Sequence, residues 1–199
     1  MTSILSVNQQ RLLTLLSEDE HICQTFYLSG GTALAEFYLH HRFSEDLDFF
    51  SEEEFESEGV SAVLKKIQKA AGVLSVRYEQ SFNRNLFFLE LEKDEIKTEF
   101  TYFPFPRMEQ KKKIGNLSID SLIDIAVNKI FTIYQKPRSR DYIDLYFIMK
   151  RESWVIADLV KKDGEGEGLD KRQRGVDNYS NRSACVPVRA RKTFSSVTS

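Results

Sequence analysis

Cysteine is scarce in this chain, with Cys23 and Cys185 the only two in 199 residues. They lie far apart, which excludes the disulfide framework of a small secreted domain and suits a reducing compartment. No apolar run approaches the roughly 20 residues that a bilayer span needs, and no basic, apolar, small-residue leader opens the chain. The expectation is a cytoplasmic protein with no membrane partner. Excess charge is lacking too, at a formal −2, so any charged partner must be met by local patches. Histidine is limited to His21, His40 and His41, none at ligand spacing, which argues against a zinc site. Neither Ser-His-Asp nor Cys-His nucleophilic catalysis has a frame, and there is no internal repeat.

What is present is a core-forming composition, 41% hydrophobic and 12% aromatic, enough for one domain. Ser6 to Leu16 has leucines at helical spacing. Phe26-Tyr27-Leu28 reads as strand or turn, the run from Ala33 to Leu39 as helix, and Leu47 to Phe50 as strand. Glu52 to Ala71 reads as one helix, or as two broken at Gly59. Val73 to Glu79, Arg84 to Leu91 and Glu95 to Tyr102 are closely spaced strands, predicting an antiparallel meander that Pro104 and Pro106 end. Ile114 to Ile119 predicts one more short strand. Helices are expected from Ser121, from Ser139 to about Met149 and from Trp154 to about Lys162, with Pro137 interrupting. Beyond Asp163 a GEGEG run and scattered Arg, Ser and Asn replace periodic apolar positions. The fold class expected is α+β: residues 1–118 a mixed or antiparallel sheet flanked by helices, 119–162 a helical part of the same domain, and 163–199 a disordered tail.

Chemistry concentrates between Leu28 and Phe50, LSGGTALAEFYLHHRFSEDLDFF. Alternation along a strand places Asp46 and Asp48 on one side, where two carboxylates repel unless a cation joins them. Hard oxygen donors of this kind suit Mg²⁺ or Mn²⁺ shared with phosphate oxygens and water. A solvated strand edge is the alternative, because acids crowd the stretch from Glu45 to Glu58. Gly30 and Gly31 permit close approach of backbone to phosphate, and a helix starting near Thr32 would offer free N–H groups. A plain tight turn would also use a glycine pair.

The segment GGTALAEFYLHHRFSEDLDFF resembles the signature of the AbiEii/AbiGii toxin family of nucleotidyltransferases, in the DNA polymerase β-like superfamily. The resemblance implies a nucleotidyltransferase-type sheet with flanking helices and a nucleotide site using Gly30, Gly31 and Thr32. Arg42 and Ser44 match the family's R-x-S-x-D approach to the metal pair. It also implies a third carboxylate on a neighbouring strand, for which Glu99 in Ile96-Lys97-Thr98-Glu99-Phe100 is the candidate, with Glu90 and Glu92 as rivals. The family's C-terminal signature is similar to the helix around Lys129 followed by Arg138-Ser139-Arg140-Asp141-Tyr142-Ile143-Asp144-Leu145. There Asp141 and Asp144 share a helix face, Arg140 and Asp144 are spaced to pair, and Lys129 could reach nucleotide phosphates. A surface ion pair and a solvated lysine are the bland reading of the same residues.

The implied activity is transfer of a nucleoside monophosphate from an NTP to an acceptor, by Mg²⁺ or Mn²⁺ held on Asp46, Asp48 and Glu99, with Lys129, Asp141 and Asp144 completing the catalytic set and Arg140 assisting nucleotide binding. The acceptor implied is RNA, with the 3′ end of tRNA a candidate, and the role is the toxin of a type IV toxin–antitoxin or abortive-infection pair with a cognate antitoxin encoded nearby. A locally basic stretch from Arg107 to Arg140, including Lys111-Lys112-Lys113, suits an RNA backbone. Two other readings stay open: a nucleotide- or RNA-binding module of the same fold without turnover, and transfer onto a protein.

Overall fold

The computed structural model describes residues 3–105, 107–109, 112–157, 159 and 192–194. Helix α1 (Val7–Ser17) starts at Ser6, whose side chain accepts from the Gln9 amide while the Gln9 side chain accepts from the Ser6 amide, a reciprocal cap. Its Leu12 and Leu16 are buried. A short α2 (Glu20–Thr25), capped by Asp19, was not foreseen from the sequence. Strand β1 (Tyr27–Ser29) then runs into α3 (Gly30–Leu34), which continues as a π-helical turn over Ala35–Leu39. That turn ends at His40, whose φ of 51° lies in the left-handed region.

Strand β2 (Leu47–Ser51) leads to α4 (Ser57–Ala71), one helix with Gly59 in its first turn rather than two broken there. The meander follows as expected: β3 (Ser75–Ser81), β4 (Arg84–Glu90) and β5 (Glu95–Tyr102) pair antiparallel in sequence. The single strand expected over 114–119 is instead a hairpin, β6 (Lys112–Ile114) and β7 (Leu117–Ile119), turning at Gly115 with φ 59°. Helices α5 (Leu122–Gln135, capped by the Ser121 hydroxyl) and α6 (Ser139–Glu152) close the domain. Of the helix expected from Trp154 to Lys162, Ile156, Ala157 and Leu159 are helical, and 158 and 160–162 lie outside the described residues. So does the tail from 163, save Lys192–Phe194, a strand β8 that pairs with β3.

The class is α+β. Among the described residues the sheet order is β6-β7-β1-β2-β5-β4-β3-β8, with β1–β7 and β2–β5 parallel and the other pairs antiparallel. The alternation of β2 sends Leu47, Phe49 and Ser51 to the buried face. There Phe49 stacks on Phe100 at 4.8 Å between centroids, and Phe26 meets Phe100 edge-on at 5.0 Å. The register that joins these aromatic residues in one core also decides which polar residues share the opposite face. No helix among the described residues is long and apolar enough to cross a membrane.

Candidate active site

The pairing of β2 with β5 sets Leu47 beside Thr98, Asp48 beside Glu99 and Phe49 beside Phe100. Since Phe49 and Phe100 enter the core, Asp48 and Glu99 lie side by side on the other face, joined along their own strands by Asp46 and Lys97. Glu99, foreseen as the third carboxylate, is therefore brought to Asp48. Glu90 lies at the end of β4 opposite Glu95, and Glu92 follows that strand, so neither rival shares this row.

Two cations that the sequence reading did not assign accompany the acids. Lys97 Nζ donates to Asp46 Oδ2 at 2.9 Å and stands 4.0 Å from Glu99 Oε2. Arg84 grips Glu99 with a fork, Nε to Oε1 at 2.5 Å and Nη2 to Oε2, and the Thr101 hydroxyl donates to Oε1 at 2.9 Å. Both follow from strand alternation: residues 97, 99 and 101 share a face of β5, and Arg84 sits opposite Thr101 on β4. With Asp46 and Glu99 so engaged, no three Asp, Glu, His or Cys side chains among the described residues converge on a metal-sized point.

Asp48 differs from its neighbours. No hydrogen bond or ion pair reaches its carboxylate among the described residues. Burial, then the charges of Glu99 and Asp46, push its pKa up to about 6. Its place is shaped by Gly30, whose φ is +73° and where a Cβ would run into the Asp48 carboxylate. Gly31 has a second tenant, because a Cβ there would come within 2.5 Å of Arg42 Nη2 and 3.3 Å of Ser44 Oγ. The Thr32 hydroxyl donates to the Asp46 carbonyl, and buried Gln9 donates to the carbonyls of Ser44 at 3.0 Å and Glu45 at 2.8 Å. The loop into Asp46 is thus anchored from α1 and α3, and Gln9 had no sequence signal beyond its place in the cap. The set of one partnerless carboxylate, a second held by an ammonium and a third held by a guanidinium fits a hard cation in donor chemistry.

A second cluster joins the helices to the same loop. Asp144 is wholly buried and receives Arg42 through Nε at 2.7 Å and Nη2 at 2.8 Å, His41 Nε2 at 2.7 Å and Lys129 Nζ at 2.7 Å. Lys129 also contacts Asp141, likewise wholly buried, at 2.7 Å, and Arg138 reaches Asp141 at 3.1 Å. Burial alone would raise the Asp144 pKa, but the hydrogen bonds of Arg42 and His41 and the charge of Lys129 hold it well below the usual carboxylate range. The expected Arg140–Asp144 pair is replaced by these contacts, and Arg140 is exposed. Arg42 thus binds a carboxylate, and Lys129 is committed to two acids rather than extended toward the strand row. The two clusters still sense each other, since the charge of Lys129 lowers the Asp48 pKa and that of Asp48 raises the Arg42 pKa.

The sequence matches, over residues 12–184, the model of a family described as "Nucleotidyl transferase AbiEii toxin, Type IV TA system". It is 35% identical over 162 residues to the uncharacterized protein aq_aa25 of Aquifex aeolicus, a match that covers 78% of this chain and 70% of that one. A Helicobacter pylori structure named as a candidate nucleotidyltransferase superposes with a TM-score of 0.58 at 22% identity, over 92% of this chain and 86% of that one. The Megavirus polyadenylate synthase superposes with a TM-score of 0.51 at 14% identity, over 73% of this chain and 31% of that one. At such identities the two structures speak to the fold, which is that of nucleotidyltransferases.

Proposed function

Because the chain belongs to the AbiEii family of nucleotidyltransferase toxins of type IV toxin–antitoxin systems, we propose that it moves a nucleoside monophosphate from an NTP to a hydroxyl of an RNA acceptor, with the 3′ end of tRNA as the first acceptor to try. Asp46 and Asp48, with Glu99 beside them, would hold a Mg²⁺ or Mn²⁺ ion. When bound, that ion supplies charge neutralisation for the triphosphate and for the departing pyrophosphate. The acceptor oxygen forms a bond to the α-phosphorus, the bond to pyrophosphate breaks in line, and the hydroxyl proton passes to Glu99, which Arg84 keeps aimed along the sheet. Gly30, Gly31 and Thr32 give the phosphates close access to backbone, and Ser44 and Arg140 contact the nucleotide from the loop and from the start of α6. Lys129, Asp141, Asp144 and Arg42 hold the loop that carries Asp46. The protein works in the cytoplasm, and an antitoxin encoded nearby opposes it.

The observation that carries this reading is the register of Asp48 beside Glu99, next to Gly30, with Asp48 left partnerless. Incubation with Mg²⁺, labelled NTPs and total RNA should label RNA, and Asp48→Ala should abolish the label. NTP binding without transfer to RNA or protein under any condition would overturn the reading. A second reading, a nucleotide- or RNA-binding module without turnover, draws support from the engagement of Asp46 by Lys97 and of Glu99 by Arg84.

A further inference from the structure

The carboxylate row carries two basic side chains of different character. Arg84 holds Glu99 through a planar fork, a geometry that loses two hydrogen bonds at once if it leaves. Lys97 holds Asp46 through one contact, on a flexible stem, with only a distant approach to Glu99. The Lys97 and Asp46 side chains are each 25% exposed, whereas that of Glu99 is 7% exposed, so the lysine contact lies on the accessible side. Three carboxylates facing two cations leave the row with one net negative charge. Exchange of the ammonium for a divalent cation makes it neutral, which is a favourable outcome for charges partly removed from water.

We propose that Lys97 is an exchangeable counter-cation: it occupies the carboxylate row before metal arrives, gives up Asp46 to the divalent cation, and is thereby released to bind the triphosphate. This rests on the metal-site reading above. The freed ammonium stays on the same sheet face as the carboxylates because Lys97 pairs with Phe88 of β4 and its neighbour Thr98 with Leu47 of β2. Its reach is then that of a four-carbon stem around the row, where the phosphates of an NTP must lie if the row holds their metal. The same exchange accounts for the turn of Asp46 toward Lys97 and away from Asp48, while Glu99 stays with Arg84.

The proposal fixes an order of metal affinities that no structural role for Lys97 would produce. Without nucleotide, Mn²⁺ binding measured by the loss of the free-ion electron paramagnetic resonance signal should be roughly 2- to 5-fold tighter in Lys97→Met than in wild type, the scale of removing one partly exposed ion pair. Lys97→Gln should behave like Lys97→Met, which keeps the test open if one of the two folds poorly. Lys97→Arg should bind Mn²⁺ more weakly than wild type, because a fork on Asp46 is harder to displace. In the presence of Mn²⁺, a non-hydrolysable NTP should bind Lys97→Met at least about 5-fold more weakly, since the released charge is gone. Asp48→Asn separates the two ideas. If Asp48→Asn leaves Mn²⁺ binding unchanged, or no variant binds Mn²⁺, the metal-site reading fails and the proposal with it. If Asp48→Asn abolishes binding while the neutral Lys97 variants match wild type or bind less tightly, the exchange alone is overturned.

Discussion

The two charged clusters are built from the same residue types and behave oppositely. Around Asp144 every acid is buried with basic partners, Arg42, Lys129 and the His41 ring converging on one carboxylate. Along β2 and β5 the acids outnumber the cations, and Asp48 has no basic partner of its own among the described residues. The pKa directions follow: Asp144 is held down, while Asp48 is pushed up to about 6. Charges among which every carboxylate has a basic partner brace a fold, and a row with an unpaired carboxylate stores repulsion that a ligand can relieve. The helices hold the brace, and the sheet face holds the mismatch.

The widest separation between the clusters should come from paired substitutions. Asp48→Ala or Asp46→Ala should cost about 1,000-fold or more in transfer activity, measured with labelled NTP, while the melting temperature holds or rises. Asp144→Ala should cost about 3–5 kcal/mol of stability, because Arg42 and His41 would lose their buried carboxylate partner and Lys129 would keep only Asp141. For a domain of this size that is a fall in melting temperature of roughly 10 °C by calorimetry. If Asp48→Ala destabilised as much as Asp144→Ala, the contrast would collapse.

Next in size is Gly30→Ala, which combines a left-handed backbone with a clash on Asp48. We expect a loss of about 1–3 kcal/mol by denaturant unfolding together with loss of transfer. Smaller still is the pH effect. The folded pKa of Asp48 is raised, so its contribution favours folding at pH below the unfolded value near 4 and is lost as pH rises through about 6. Metal-free wild type should therefore lose about 2 kcal/mol relative to Asp48→Asn between pH 4 and pH 7. Asp144 has the reverse sign: its contribution is present above the unfolded value and is lost as pH falls toward its depressed one. Urea midpoints of the two Asn variants across pH should diverge in opposite directions. Smallest is Arg140→Ala, which should change stability by less than about 0.5 kcal/mol, because the side chain is exposed.

Much of this contrast was legible as residue types and little of it as pairings. The glycine pair, Asp48 of β2 and Asp46 just before it announce themselves because a strand's alternation and a glycine's freedom are local properties. Glu99 could be nominated from its strand and its family likeness, and the register then set it beside Asp48. Arg140 was matched to Asp144 by helical spacing, yet Asp144 takes Arg42, 102 residues away in the chain. Local spacing cannot see a contact closed by the packing of α6 against the loop before β2. Lys97 and Arg84 escaped notice for a related reason: a lysine and an arginine in strands read as solvent-facing until the neighbouring strands show that their face carries three acids. The hairpin at Gly115 read as one strand because each of its arms is only three residues long.

The π-helical turn at Ala35–Leu39 imposes a constraint on how this chain can vary. Its closing bond, His40 amide to Ala35 carbonyl at 2.8 Å, spans one residue more than an ordinary helical turn. That extra residue sets the angular phase at which the chain leaves the helix, and with it where His41 and Arg42 meet Asp144. Removal of a single residue here would restore a regular helix and turn the following segment by about 100°. The spacer between Gly31 and Asp46 is therefore a gauge of fixed length: substitutions within it can be absorbed by repacking, whereas insertions and deletions would throw the loop that carries Asp46 out of phase with the glycine turn.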